Sequence, residues 1–242
     1  MDDHSPFSPL TTPSAARPLL GMTVLVVEDS RFASDALRLM CVRSGARIRR
    51  ADSLCSARRH LQIHLPTVII VDMGLPDGSG AELIEELHNA SPRVELILGT
   101  SGDDFAEDAA RAAGADGFIT KPYGSLATFQ QAILSRLAVG FRPTVARIAD
   151  NETIQPDPVA LRDDLMHAAD TLQATPEQAL NDGVVDYVAQ FLGGIARSSE
   201  DDSLLNAVRA VEQGRKQGAM PTADVAHLTG LVQDRLAQSA TI

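Results

Sequence analysis

The chain has 242 residues, with 21 Lys and Arg against 32 Asp and Glu, for a formal net charge of −11. At roughly 100–200 residues per domain, that length fits one large domain or two small ones, and 44% hydrophobic with 22% charged residues excludes disorder throughout. The acidic balance argues against a nucleic-acid partner, which needs clustered Lys and Arg, and the absence of Trp, with only two Tyr and seven Phe, leaves few rings on which bases could stack.

Taken in chain order, residues 1–20 are rich in Ser, Thr and Pro and read as a disordered N-terminal arm. Asp2 and Asp3 stand where a secretory leader would be basic, and Pro6, Pro9, Pro13 and Pro18 interrupt any apolar run. From Met22 onward, short β-branched runs alternate with helix-length segments: 23–27, a weaker run at 47–49, then 67–71, 94–98 and 117–119. Continuous apolar runs of this kind suit strands buried on both faces of a parallel sheet. Five of them predict a flavodoxin-like, doubly wound α/β fold over residues 21–139. Residues 140–157, with Phe141, Pro143 and Pro156, read as a linker.

Beyond the linker the strand signal ends, and residues 158–242 predict an all-α domain of four helices, at about 158–173, 176–196, 202–217 and 222–239. The second helix opens on Thr175-Pro176-Glu177-Gln178, a capping box with Pro at the first helical position. It carries an apolar stripe of Leu180, Val184, Val188, Phe191 and Ile195, and the fourth carries Val225, Leu228, Val232 and Leu236. Such stripes close into a bundle within one chain or across a homodimer. Charge divides unevenly too: residues 1–144 are net −3 and residues 145–242 net −8.

Cys41 and Cys55 have neither metal-ligand nor CxxC spacing, which excludes a disulfide framework or zinc site and fits a reducing cytosol. No apolar stretch approaches the roughly 18–20 residues needed to cross a bilayer. The expectation is a soluble, cytoplasmic protein without a membrane partner.

The residues that carry chemistry sit at the carboxyl ends of the expected strands. They are Glu28 and Asp29 after the first, Asp72 after the run 67–71, Thr100 and Ser101 after 94–98, and Thr120-Lys121-Pro122 after 117–119. In an open α/β sheet these ends converge on one edge. Carboxylates held together repel unless a cation joins them, and hard oxygen donors in this number favour Mg²⁺. A nearby ammonium and hydroxyl would complement a phosphoryl group, with Asp as nucleophile. Taken singly, Glu28-Asp29 could serve a helix start, Asp72 an Asx turn, and Lys121-Pro122 a surface turn.

Together, in this order, they resemble the receiver domain of two-component response regulators. The resemblance covers residues 21–138 and rests on Val27-Glu28-Asp29-Ser30, on Val71-Asp72-Met73-Gly74-Leu75-Pro76-Asp77-Gly78-Ser79-Gly80, on Gly99-Thr100-Ser101 and on Thr120-Lys121-Pro122. It implies that Asp72 is the phosphoacceptor, fed from a phosphohistidine on a sensor histidine kinase or a histidine phosphotransfer protein. It implies Mg²⁺ held by Asp29, Asp72 and the Gly74 carbonyl, with Glu28 on a metal-bound water. Thr100, Lys121 and the Ser101 amide would contact the phosphoryl oxygens. Phe118 would be the aromatic that moves inward as Thr100 turns, although an aromatic on a strand also serves as plain core. The Lys121–Pro122 bond is expected to be cis. Gly74 and Gly102 occupy the two positions that tune dephosphorylation in this family, and as glycines they are expected to leave the acyl phosphate unshielded. Such a domain assists its own phosphorylation without being an enzyme in the usual sense.

For the helical half, a net charge of −8 and the lack of a strongly basic helix argue against a DNA-reading output and for protein–protein contacts. Two alternatives relay or drain phosphoryl groups. A degenerate histidine phosphotransfer bundle would use His167, which is followed by Ala168-Ala169-Asp170, with acid where that family carries Lys. His227 has no supporting motif. A phosphatase bundle would need a carboxylate and an amide on one helix, for which Glu177 and Asn181 have the spacing of one turn.

Overall fold

A computed structural model describes residues 13–103, 105–137, 154, 156–174, 182–217 and 222–239. The five runs form β1 (Thr23–Val27), β2 (Arg47–Ala51), β3 (Val68–Asp72), β6 (Leu96–Ser101) and β7 (Gly117–Thr120). They make one parallel sheet in the order β2-β1-β3-β6-β7, the flavodoxin-like architecture expected. A two-residue-per-strand hairpin, β4 (Gly74–Leu75) with β5 (Gly78–Ser79), follows β3. Asp72 and Ser101 are the last residues of their strands rather than the first beyond them.

Each strand's side chains alternate between two cores, as the period of two requires. Val24, Val26, Val68, Ile70, Leu96 and Leu98 pack with α1 (Arg31–Arg43) and α5 (Leu126–Leu134) through Leu37, Met40, Phe129 and Ile133. Leu25, Val27, Ile69, Val71 and Ile97 face Leu54 of α2 (Leu54–Ile63), Leu83 and Ile84 of α3 (Gly80–His88) and Ala110 of α4 (Ala106–Ala112). Serines start four of these helices: the side chains of Ser30, Ser53, Ser79 and Ser125 accept from backbone amides in the first turns of α1, α2, α3 and α5. The edge strand β2 keeps Arg47, Arg49 and Arg50 exposed, charges that blunt edge-to-edge pairing. Cys41 is buried on α1 and Cys55 exposed on α2, and both are free.

Four helices follow: α6 (Pro158–Ala174), α7 (Asp182–Ser198), α8 (Asp202–Lys216) and α9 (Thr222–Ser239). Their stripes close on one another within the chain, around Leu165, Val188, Leu192, Ile195, Val208, Val211, Leu228 and Val232. Asp201 caps α8 through the Leu204 amide and takes the Arg235 guanidinium of α9 with both oxygens. The capping box at 175–178, with Leu180, Glu177 and Asn181, lies outside the described residues, as do residues 1–12 of the expected arm and most of the expected linker. Leu19 of the expected arm and Ile154 of the expected linker are buried in the core beneath α1 and α5. Among the described residues no helix is long and apolar enough to cross a membrane.

Candidate functional site

Strand register brings the predicted residues together. Asp72 pairs with Thr100 across β3 and β6, Thr100 with Ile119 and Ser101 with Thr120 across β6 and β7. Glu28 and Asp29 leave the end of β1 in the two residues before the Ser30 cap. Carboxylate oxygens of Glu28, Asp29 and Asp72 all lie within 4.8 Å of one another. Lys121 enters from the end of β7, its Nζ 2.6 Å from Glu28 Oε2 and 2.9 Å from Asp72 Oδ2. The Lys121–Pro122 bond is cis, as expected.

Burial sets the electrostatics. Desolvation, then the neighbouring Asp72 charge, pushes Glu28 well above the usual carboxylate range and Asp29 up to about 7. Burial pulls the Lys121 ammonium down, but Asp72 and Glu28 more than offset this and hold it above its ordinary value. One ammonium thus serves two buried carboxylates while a third stands beside them. A divalent cation with oxygen ligands suits that donor set and would relieve the remaining repulsion. Glu28, Asp29 and Asp72 are the side chains that could hold it.

Thr100 is fully buried, and its hydroxyl donates to the Ile119 carbonyl at 2.7 Å. It also lies 3.5 Å from the Tyr123 hydroxyl, which donates to Glu28 Oε2 at 3.2 Å. Tyr123 was not singled out in the sequence, yet it stands two residues beyond Lys121 and closes the ring of groups around Glu28. The Ser101 hydroxyl accepts from the Asp103 amide at 3.0 Å. The Gly74 amide approaches Asp72 Oδ1 at 3.4 Å, and Gly80 comes so close to the Asp72 carbonyl that a β-carbon there would collide with it. Phe118 is half-buried against the core of α3 and α4, over Gly99 and Ala110.

The helical half is seated on this site. Asp164 of α6, only 2% exposed, accepts from the Ser30 hydroxyl at 2.8 Å, the Arg31 amide at 2.8 Å and the Phe32 amide at 3.0 Å. It thereby completes the N-terminus of α1 from another domain. Tyr187 of α7 donates to Asp29 Oδ2 at 2.9 Å. Farther along α7, the Gln190 amide lies against Gly74, where a β-carbon would collide with it, and Arg197 Nη1 would be 2.9 Å from a β-carbon on Gly102. Neither glycine carries a side chain of its own over the site, and the space their missing side chains free is occupied by Gln190 and Arg197 of α7. Between the halves lies a cavity of about 600 Å³ lined by Asp72, Ser101 and Lys121 on one side and by Gln190, Arg197 and Arg209 on the other. Sequence reasoning missed Asp164, Tyr187, Gln190 and Arg197, because contacts between residues so far apart in the chain leave no local pattern.

His167 is exposed on α6, edge-on to Phe191 with ring centroids 5.6 Å apart. It shares a recess with Asp29, Asp163, Asp164 and Asp170. His227 is exposed on α9.

Comparison with known proteins places this geometry. The response regulator receiver domain family matches residues 24–133. Over 101 residues the chain is 35% identical to the KDP operon transcriptional regulatory protein KdpE of Escherichia coli (strain K12), covering 42% of this chain and 45% of that protein. It is 32% identical over 103 residues to the virulence transcriptional regulatory protein PhoP of Salmonella typhimurium (strain LT2), covering 42% and 46%. The chain thus spans less than half the length of these curated relatives. A putative response regulator from Chloroflexus aurantiacus J-10-fl is similar at 29% identity and a TM-score of 0.44, covering 48% of this chain and 98% of that one. Residues 24–133 are a response regulator receiver domain, joined to a four-helix region that the family match does not reach.

Proposed function

We propose that this chain is a response regulator of a two-component phosphorelay that accepts a phosphoryl group on Asp72 from a phosphohistidine donor, a sensor histidine kinase or a histidine phosphotransfer protein. The observation that carries the reading is the meeting of Glu28, Asp29 and Asp72 within 4.8 Å, with Lys121 bridging Glu28 and Asp72. Glu28, Asp29 and Asp72, with the Gly74 carbonyl, would hold Mg²⁺, which supplies charge neutralisation for the transferring phosphoryl group. Asp72 presents the nucleophilic oxygen, and Lys121, Thr100 and the Ser101 amide would receive the phosphoryl oxygens. To do so the Thr100 hydroxyl would leave the Ile119 carbonyl, and Phe118 would follow as the switch aromatic.

A receiver domain is not generally classed as an enzyme, and the output here is assigned to protein contacts of the helical half. Residues 145–242 are net −8, the wrong sign for a phosphate-backbone partner. A relay through His167 finds little support, since Asp163, Asp164 and Asp170 around its recess would repel an incoming phosphoryl group. The domain division that fits is a receiver over 21–139, a linker over 140–157 and the helical half over 158–242.

The test is phosphoryl uptake from a labelled phosphohistidine donor in the presence of Mg²⁺. Wild-type chain takes up one group, and Asp72→Ala takes up none. Label on Asp72→Ala equal to that on wild type would overturn the acceptor assignment.

A further inference from the structure

We infer that α7 shortens the life of the phosphoryl group in cis, with the Gln190 amide holding the water that hydrolyses the Asp72 acyl phosphate. The inference rests on the reading of Asp72 as acceptor.

Four observations carry it. The Gln190 side chain is exposed to the cavity that contains Asp72 and Lys121. Its amide lies against Gly74, two residues past the acceptor, in the space a side chain there would take. Among the described residues that amide makes no hydrogen bond, and Arg197, on the other side of the mouth over Gly102, has no ion-pair partner. Finally, α7 is fixed in place by Tyr187 on Asp29 and by the Asp164 cap of α1 on the adjoining helix α6, so the helix face that carries Gln190 is held over the site.

A carboxamide is neither acid nor base at neutral pH, but it accepts at Oε1 and donates at Nε2. It can therefore orient a water toward phosphorus and bond a phosphoryl oxygen at the same time. In the step, the water oxygen forms a bond to phosphorus and the bond from phosphorus to the Asp72 carboxylate oxygen breaks. The electron pair of that bond stays on Asp72, and the water's proton leaves with inorganic phosphate or passes to solvent. Water is the only co-reactant. Asp186 and Gln190 stand one turn apart on α7, both lining the cavity, with Asp186 engaged by Arg215 at 3.0 Å.

The experiment uses the full chain, charged with acetyl phosphate and Mg²⁺, freed of donor, and followed by intact mass as the phosphoryl group is lost. Gln190→Ala and Gln190→Met are compared with wild type. Methionine keeps the bulk over Gly74 and removes the amide, and an exposed position tolerates both changes. Loss of the one orienting hydrogen bond should lengthen the phosphoryl lifetime about tenfold in each variant. A wild-type lifetime in Gln190→Met would overturn the inference, as would a shortened lifetime in Gln190→Ala, which would make the side chain a shield. Asp72→Ala separates the two readings. Label that Asp72→Ala also takes up would overturn the acceptor assignment and this inference with it. Label confined to chains with Asp72, with lifetimes unchanged at Gln190, would overturn this inference alone.

Discussion

Among the described residues, nine of the ten buried polar or charged side chains lie in the receiver half, from Glu28 to Gln130, and the tenth, Asp164, is the helical half's and is turned toward the receiver. Among the described residues the helical half otherwise keeps its ion pairs exposed or only partly buried, Arg215 with Asp186 and Arg235 with Asp201, around an apolar centre. Burying charge costs free energy that good partners only just recover. A small bundle avoids that cost wherever packing alone decides its sequence. The receiver half bears the cost at the strand ends, where Glu28, Asp72 and Lys121 meet, and the helical half bears it once, at the seam. The buried charges, Glu28, Asp72, Lys121 and Asp164, therefore mark the work of the molecule, and they place some of it between the halves.

The largest effect that would sharpen this contrast is expected at Lys121. In Mg²⁺-free buffer, Lys121→Met leaves Glu28 and Asp72 without their shared cation and should cost roughly 3–5 kcal/mol in urea denaturation, part of which added Mg²⁺ restores. A cost no greater than that of a surface pair would mean that the acids are not held by Lys121. Next comes the apolar side of the contrast. Leu192 is fully buried, and Leu192→Ala should cost roughly 2–5 kcal/mol, read as an earlier unfolding of the helical half with the receiver transition in place. A single shifted transition would show instead that the halves unfold as one unit.

The seam should weigh less. Asp164→Ala removes the acceptor for the Ser30 hydroxyl and for two amides at the start of α1, at a cost of about 1–3 kcal/mol, visible as faster hydrogen exchange in the first turn of α1. Unchanged exchange there would mean that Asp164 does not cap α1 in solution.

The smallest effect concerns pH. Asp29 is raised to about 7 by burial and then by Asp72, so the folded chain holds a proton there that the unfolded chain has released. Without metal, that group's contribution to stability is present at acid pH and is lost as pH climbs from the ordinary carboxylate range to about 7. Because a ligating carboxylate must be deprotonated, Mg²⁺ affinity should rise roughly tenfold per pH unit below that value and level off above it. Calorimetric titration on either side of neutrality checks this. A flat profile would mean that Asp29 is already ionised in the metal-free site.

Much of the receiver half could be read from the sequence because its determinants are local. Runs such as Val68–Val71 are apolar on both faces, and a chemical residue ends or follows four of the five strands. Ser30, Ser53, Ser79 and Ser125 punctuate the helices. The helical half was legible as four stripes, with α6, α8 and α9 falling within a residue of expectation. What escaped was whatever depends on one half meeting the other. Gln190 on a helix face looks like any solvated glutamine until Gly74 is found beneath it, and Asp164 looks like an ordinary surface acid until three donors of α1 converge on it. Tyr123 escaped for a nearer reason: its hydroxyl matters only because Glu28 and Thr100, distant in sequence, flank it.

The most direct test of the central claim, that the helical half reads the Asp72 site through α7, is hydrogen exchange with Mg²⁺, with and without beryllium fluoride in place of the phosphoryl group. The account predicts slower exchange across 187–197 of α7 in the wild type, as Gln190 and Arg197 gain a partner, and no change there in Asp72→Ala. Exchange that changes around Asp72 while α7 stays as it was would contradict it.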